Sequence, residues 1–161
     1  MCHGLLPADC LPFLVEAKRA AYDYQGNATM AVEPLLPGAH QFEYAAGPYL
    51  YRDIYVGMAR FAGQEMIYFE DRPIWSMSYA GGVVPALAHP DEVARVYAFL
   101  RAALCLMTPD RPFRGPALFR EGELEYHDEC TGELEAFHGH ETIRHAGRTV
   151  YTLRYGGGAL R

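Results

Sequence analysis

The chain has 161 residues, enough for one domain with its own core, and half of them are hydrophobic. Fourteen Lys and Arg against 20 Asp and Glu give a net charge of −6, and no basic run occurs, which argues against a phosphate-tracking surface and hence a nucleic-acid partner. No stretch approaches the roughly 20 apolar residues of a membrane span. Residues 1–15 are interrupted by Asp9 and two prolines, with no Lys or Arg ahead of the apolar residues, so a signal peptide is not expected. Cys2, Cys10, Cys105 and Cys130 are scattered and form no C-x-x-C pair, which points to free thiols and a cytoplasmic location without a membrane.

In chain order, Asp9 to about Tyr22 reads as a helix, with Asp9 as its cap, Pro12 in the first turn and Phe13, Ala17, Ala20 and Ala21 at helical spacing. Glu16-Ala17-Lys18 reads as a solvated turn of it. Residues 23–37, with Gly, Asn and two prolines, form a long connection. Strands follow near 40–46, 49–57, 64–70 and 73–80, the second and third separated by 58–63.

A second helix opens on His89-Pro90-Asp91-Glu92 and carries a stripe of Val93, Val96, Tyr97, Leu100, Leu104 and Met107, ending at Pro109. Cys105 reads as packing in that helix. Strands resume near 117–121, 123–130, 133–138, 140–146 and 149–156, with Ala146-Gly147 as a hairpin turn.

The two halves superimpose in sequence. Tyr51, Asp53 and Gly57 fall on Tyr126, Asp128 and Gly132 at an offset of 75; Phe61, Gly63, Glu65, Ile67, Arg72, Tyr79, Gly81 and Gly82 fall on Phe137, Gly139, Glu141, Ile143, Arg148, Tyr155, Gly157 and Gly158 at 76. These are 11 identities in 29 columns, where chance gives about two. Upstream, Pro37 falls on Pro112. The expectation is a single α+β domain with an internally duplicated helix-plus-four-strand unit, about 9–84 and 89–160, mostly antiparallel and arranged about a pseudo-two-fold axis.

Strand alternation sorts the faces. Glu125, His127 and Glu129 form a wet face, so Leu124, Tyr126, Asp128 and Cys130 point inward; the matching surface is Tyr49, Tyr51, Asp53 and Tyr55, with Trp75, Met77 and Tyr79. Four carboxylates, Asp53, Glu65, Asp128 and Glu141, join this aromatic surface. A buried carboxylate is paired, hydrogen-bonded or neutral. Either these groups converge with tyrosine hydroxyls on a polar ligand or act as an acid or base, or they tie down turns and pair with Arg72 or Arg148. Repetition in both halves favours structural duty, so residues without a counterpart, such as Tyr55, Trp75 and Arg114, are the stronger site candidates.

His138-Gly139-His140 lacks the third and fourth ligand on the same face, since His127 and Cys130 differ in parity, so no metal is expected. Gly156-Gly157-Gly158 opens no helix and makes no phosphate loop, and no cofactor is expected.

Phe13-Leu14-x-Glu16-Ala17-Lys18 with Tyr22, Pro37-Gly38, Tyr51-x-Asp53-x-Tyr55-x-Gly57, Phe61-x-Gly63-x-Glu65 and Pro73-Ile74-Trp75-x-Met77-x-Tyr79-x-Gly81 form one pattern. Arg114-Gly115-Pro116, Phe137-x-Gly139-x-Glu141-x-Ile143 and Val150-Tyr151 continue it. The pattern resembles a family of small bacterial domains of unknown function, found alone or after a helix-turn-helix domain in regulator-like proteins. His40 stands where that family usually has Asp, and Gly156-Gly157 where a His-Gly pair is common. The resemblance implies a ligand-sensing module.

The leading expectation is a small-molecule-binding domain whose pocket is lined by Tyr51, Asp53, Tyr55, Glu65, Trp75, Tyr79, Arg114 and Glu141. The second is a small isomerase, cyclase or hydrolase using Asp53 or Glu65 as acid or base, with Tyr55 or Arg114 facing developing negative charge. The third is an interaction module that forms a homodimer.

Overall fold

Residues 5–23, 30–87 and 89–160 are described by a computed structural model of the chain. Cys2 and positions 24–29 of the first connection lie outside them. Helix α1 spans Cys10–Tyr22 and buries Phe13, Leu14, Ala17 and Ala21. Asp9 is its N-terminal flanking residue but makes no side-chain cap; its Oδ1 instead accepts the Tyr49 hydroxyl at 2.5 Å, a tertiary bond displacing the local one. Helix α2 spans Pro90–Leu104. Here the His89 ring accepts the Asp91 amide, Pro90 sits in the first turn, and Asp91 and Glu92 meet the positive end of the helix dipole. The helix ends at Leu104, short of Pro109, and Met107 is buried beyond it.

The strands are β1 (His40–Ala46), β2 (Tyr49–Gly57), β3 (Arg60–Phe69), β4 (Arg72–Val83), β5 (Leu118–Glu121), β6 (Leu124–Glu133), β7 (Ala136–His145) and β8 (Arg148–Ala159). They form one antiparallel sheet in the order β1-β2-β3-β4-β8-β7-β6-β5, two four-stranded meanders meeting at β4 and β8. At the seam Tyr79 pairs with Tyr155 and Trp75 with Ala159, the register that a two-fold axis between the meanders requires.

Corresponding contacts recur on both sides. Asp53 pairs with Glu65 and Asp128 with Glu141; Tyr51 pairs with Ile67 and Tyr126 with Ile143. Both third strands shift register after that isoleucine. Gly57 and Gly132 each have φ of 96°, and a Cβ there would lie 2.2 and 2.1 Å from a carbonyl oxygen across the hairpin. Both positions therefore exclude other residues.

Two boundaries differ from the sequence reading for a shared reason. The second half has four strands, because 133–138 and 140–146 are not separate: β7 runs unbroken through Gly139. Likewise β3 starts at Arg60 and runs through Gly63. Each glycine lies under a tyrosine ring of the next strand; a Cβ at Gly63 would meet the Tyr79 hydroxyl at 2.5 Å, and one at Gly139 the Tyr155 ring at 2.1 Å. These glycines make room inside strands rather than end them.

α1 packs on β1 and β2 and α2 on β6, and the core lies between the helices and the inward strand face. That face carries Tyr51, Ile67, Trp75, Met77, Tyr126, Ile143, Tyr151 and Leu153, each 0–1% exposed. The inward parity read from the alternation therefore holds. No helix among the described residues is long and apolar enough to cross a membrane.

Candidate functional site

The four inward carboxylates divide into two kinds. Glu65 and Glu141 are deeply buried and each holds a buried cation, although neither pairs with Arg72 or Arg148, which stand exposed at the starts of β4 and β8. Glu65 accepts Lys18 Nζ on both oxygens, at 3.0 and 2.9 Å, and Lys18 also donates to the Phe113 carbonyl at 2.5 Å. Lys18 is wholly buried rather than solvated, whereas Glu16 is exposed as expected. Burial lowers the Lys18 pKa, and Glu65 opposes this.

Glu141 is held by Arg114 through Nε at 3.1 Å and Nη2 at 2.6 Å, and by the hydroxyls of Tyr126 at 2.8 Å and Tyr151 at 2.7 Å. Burial raises its pKa, but Arg114 and the two hydroxyls outweigh that and hold it below the usual carboxylate range. Lys18 with Glu65 and Arg114 with Glu141 thus form two charge-balanced pairs under the helices.

Asp53 and Asp128 are the second kind. Each accepts the hydroxyl of a seam tyrosine on Oδ1: Tyr79 to Asp53 at 2.6 Å, Tyr155 to Asp128 at 2.9 Å. The other oxygens differ. Asp128 Oδ2 accepts Arg111 Nη2 at 2.8 Å. Asp53 Oδ2 makes no hydrogen bond or ion pair among the described residues. Burial first, and the charge of Glu65 second, push the Asp53 carboxyl up to about 7.

Asp53 opens onto a cavity of about 380 Å³ between α1, α2 and the first meander. Its walls are Phe42, Tyr55, Phe61, Tyr97, Leu100 and Leu104, with Arg101 exposed at the mouth and Arg114 behind the Tyr79 ring at 6.0 Å. The Tyr22 hydroxyl, on the α1 side, is buried with no hydrogen-bond partner among the described residues. Burial raises the Tyr22 pKa, so this hydroxyl stays neutral and able to donate.

Of the eight expected site residues, the cavity gathers Asp53, Tyr55, Tyr79 and Arg114. Glu65 and Glu141 lie behind it as partners of the buried cations. Tyr51 and Trp75 are core; Trp75 stacks on Phe137 at 5.6 Å and donates Nε1 to the Leu134 carbonyl at 3.0 Å. Of the three residues singled out for lacking a counterpart in the other half, Tyr55 and Arg114 line the cavity and Trp75 does not. The alternation passed over Tyr22, Phe42, Phe61 and Tyr97. For Tyr22 the available signal was its position one turn beyond Lys18 on the same helix face.

A 90 Å³ hollow occupies the equivalent place in the second meander, bordered by Asp110, Arg111, Phe113, Arg114, Asp128, Cys130 and Gly132. Its Asp128, Cys130 and Gly132 match Asp53, Tyr55 and Gly57 of the large cavity. Among the described residues no group of three or more His, Cys, Asp and Glu is placed to hold a metal, and His140 bonds Thr152 at 3.2 Å.

Residues 53–160, well over half of the chain, match a family described as Domain of unknown function (DUF5680), and the chain belongs to that family. The match begins at Asp53, so α1 and β1, which supply Lys18, Tyr22 and Phe42, lie outside it. No curated protein and no solved structure matches the chain.

Proposed function

We propose that the chain is a small-molecule-binding domain and that its site is the cavity floored by Asp53. The supporting observation is about 380 Å³ of aromatic-walled space with the half-buried Asp53 carboxyl on its lining and the Tyr22 hydroxyl buried without a hydrogen-bond partner among the described residues. Buried polar groups are ordinarily hydrogen-bonded, and an apolar pocket with a few convergent polar groups is the usual form of a ligand site. The free thiols of Cys10, Cys105 and Cys130 agree with a cytoplasmic location. We attribute the matched contacts of the two meanders to an internal duplication, after which one copy kept its hollow open.

The test is binding by a fragment library, followed by amide chemical shifts of the labelled protein. Hits should perturb Tyr55, Phe61 and Tyr97 together, and Leu104→Trp, which fills the cavity, should remove them while the remaining spectrum stays dispersed. Hits that map elsewhere, or survive the filling, would refute the assignment.

One observation favours a second reading, a small acid/base enzyme. A carboxyl held at about 7 beside a cavity is equally ready to take or give a proton at neutral pH. In that case Asp53 is the catalytic group, its pKa raised first by burial and then by the charge of Glu65 behind it. Asp53→Asn would then abolish turnover of a bound substrate with little change in its affinity.

A further inference from the structure

The second meander shows what the first one lacks. Asp128 and Asp53 stand at equivalent register positions, each bonded on Oδ1 by the equivalent tyrosine. Over Asp128 the remaining space is taken by Arg111, whose Nη2 donates to both the Asp128 side chain and its backbone carbonyl at 2.8 Å. Arg111 lies on the segment that leads into β5. The residue 75 positions earlier, on the segment leading into β1, is Leu36, which is 55% exposed and carries no charge. The first meander therefore keeps the carboxylate and the tyrosine, loses the cation, and has a cavity where the second has only a small hollow.

The charge balance points the same way. Lys18 and Glu65 cancel, as do Arg114 and Glu141, so among the described residues of this cluster ionised Asp53 has no ion-pair partner of its own. Arg101 also lines the cavity, but it is exposed to solvent, which weakens its field at Asp53. The walls suit a cation too: the aromatic side chains of Phe42, Tyr55, Phe61 and Tyr97 line the space, and a desolvated cation is attracted to aromatic faces.

From this, and resting on the binding role proposed above, we propose that the cavity takes an organic cation. Its ligand has a guanidinium, amidinium or ammonium group on Asp53 Oδ2, where Arg111 sits on Asp128, and an apolar or aromatic body between the rings. The Tyr22 hydroxyl is placed to hydrogen-bond a polar atom further along that ligand. An anionic ligand would face Asp53 with Glu65 behind it, and Arg114 is already committed to Glu141.

Binding should depend on pH. The groups around Asp53 are Lys18 and Tyr22 from α1, Tyr55 from β2, Glu65 from β3, Tyr79 from β4, Tyr97 and Arg101 from α2, and Arg114 ahead of β5. The Asp53 carboxyl stands at about 7. A cation selects the ionised form, so binding at neutral pH releases part of a proton and tightens as pH rises through 7, then levels off.

The experiment uses three probes of one shape and different charge: benzamidine, benzamide and benzoate, titrated into the full chain by calorimetry and amide chemical shifts. Benzamidine should bind about tenfold or more tighter than benzamide, the worth of one charge-assisted hydrogen bond. Asp53→Asn should erase that preference, and titrations in two buffers of unlike ionisation heat should show the proton released. Should the variant fail to fold, the two-buffer titration of the unaltered chain decides alone. Benzamide or benzoate binding equally well or better in the same cavity overturns the cation assignment and leaves the binding role standing. If none of the three binds at millimolar concentration, both fall.

Discussion

Lys18 shows how one side chain can decide the energetics of a whole region. It is wholly buried and donates hydrogen bonds to Glu65 and the Phe113 carbonyl, so Lys18→Met leaves the Glu65 carboxylate without its ion-pair partner under the helices. Breaking a buried pair from one side costs about 3–5 kcal/mol, whereas replacing both members by apolar groups is often neutral. Lys18→Met should therefore lower stability in urea by that amount, and Lys18→Met with Glu65→Leu should recover most of it. A double variant no better than the single would show that the pair is worth more than its desolvation. Asp53 makes a different prediction. Its carboxyl stands at about 7 when folded against 3.8 ordinarily, so between those pH values the folded chain holds the proton that the unfolded chain has lost. This contribution to stability therefore falls as pH rises from about 4 to 7 and is flat above. Relative to the unaltered chain, Asp53→Asn should gain stability from pH 4 to pH 8 by up to about 4 kcal/mol, less because solvent reaches Asp53 through the cavity. Parallel unfolding curves for the two proteins at both pH values would contradict it.

At the scale of elements, Gly63 and Gly139 connect the sheet to the site. Each lies mid-strand beneath a tyrosine whose hydroxyl is fixed on an aspartate, Tyr79 on Asp53 and Tyr155 on Asp128, so the ring above cannot easily move. Gly63→Ala and Gly139→Ala should each cost about 1–3 kcal/mol through overpacking. Gly63→Ala should also disturb the Asp53 environment, read as a shift of its carboxyl titration by NMR; a change in stability with no change in that titration would separate ring from acid. The same two glycines explain which boundaries the sequence concealed. As punctuation they suggested breaks, because the ring that needs their space comes from another strand and is invisible locally. The alternation was legible where it was strong: Glu125, His127 and Glu129 against Leu124, Tyr126 and Asp128 assigned the inner face correctly, and with it Asp53, Tyr55 and Tyr79. Helix α1 was legible in its extent, but the burial of Lys18 on it was not. Exposed Glu16 sits two residues from Lys18 on a different face of the turn, and only a carboxylate 47 residues on explains why a lysine should be buried.

Over the whole molecule, the same parts that form the site tie the two meanders together. Trp75 of the first donates to the Leu134 carbonyl and stacks on Phe137 of the second; Lys18 reaches the Phe113 carbonyl; Arg114 lies over the Tyr79 ring. Nine residue pairs join β4 to β8 across the centre of the sheet. Neither meander can keep its inward face covered if the other unfolds, since Trp75, Phe113 and Phe137 stack on one another across the boundary. The chain should then unfold as one cooperative unit despite its two-part construction. Trp75 is the single tryptophan and sits in that boundary, so its fluorescence reports the seam while far-UV circular dichroism reports the strands at large. The two signals should superimpose through a urea transition, and fragments divided between residues 84 and 89 should each fail to fold alone. Tryptophan fluorescence that changes first, with the strand signal still intact, would mean that the seam opens while each meander survives. The cavity, which draws Tyr22, Tyr79, Tyr97 and Arg114 from both sides of that boundary, would then open before the protein unfolds.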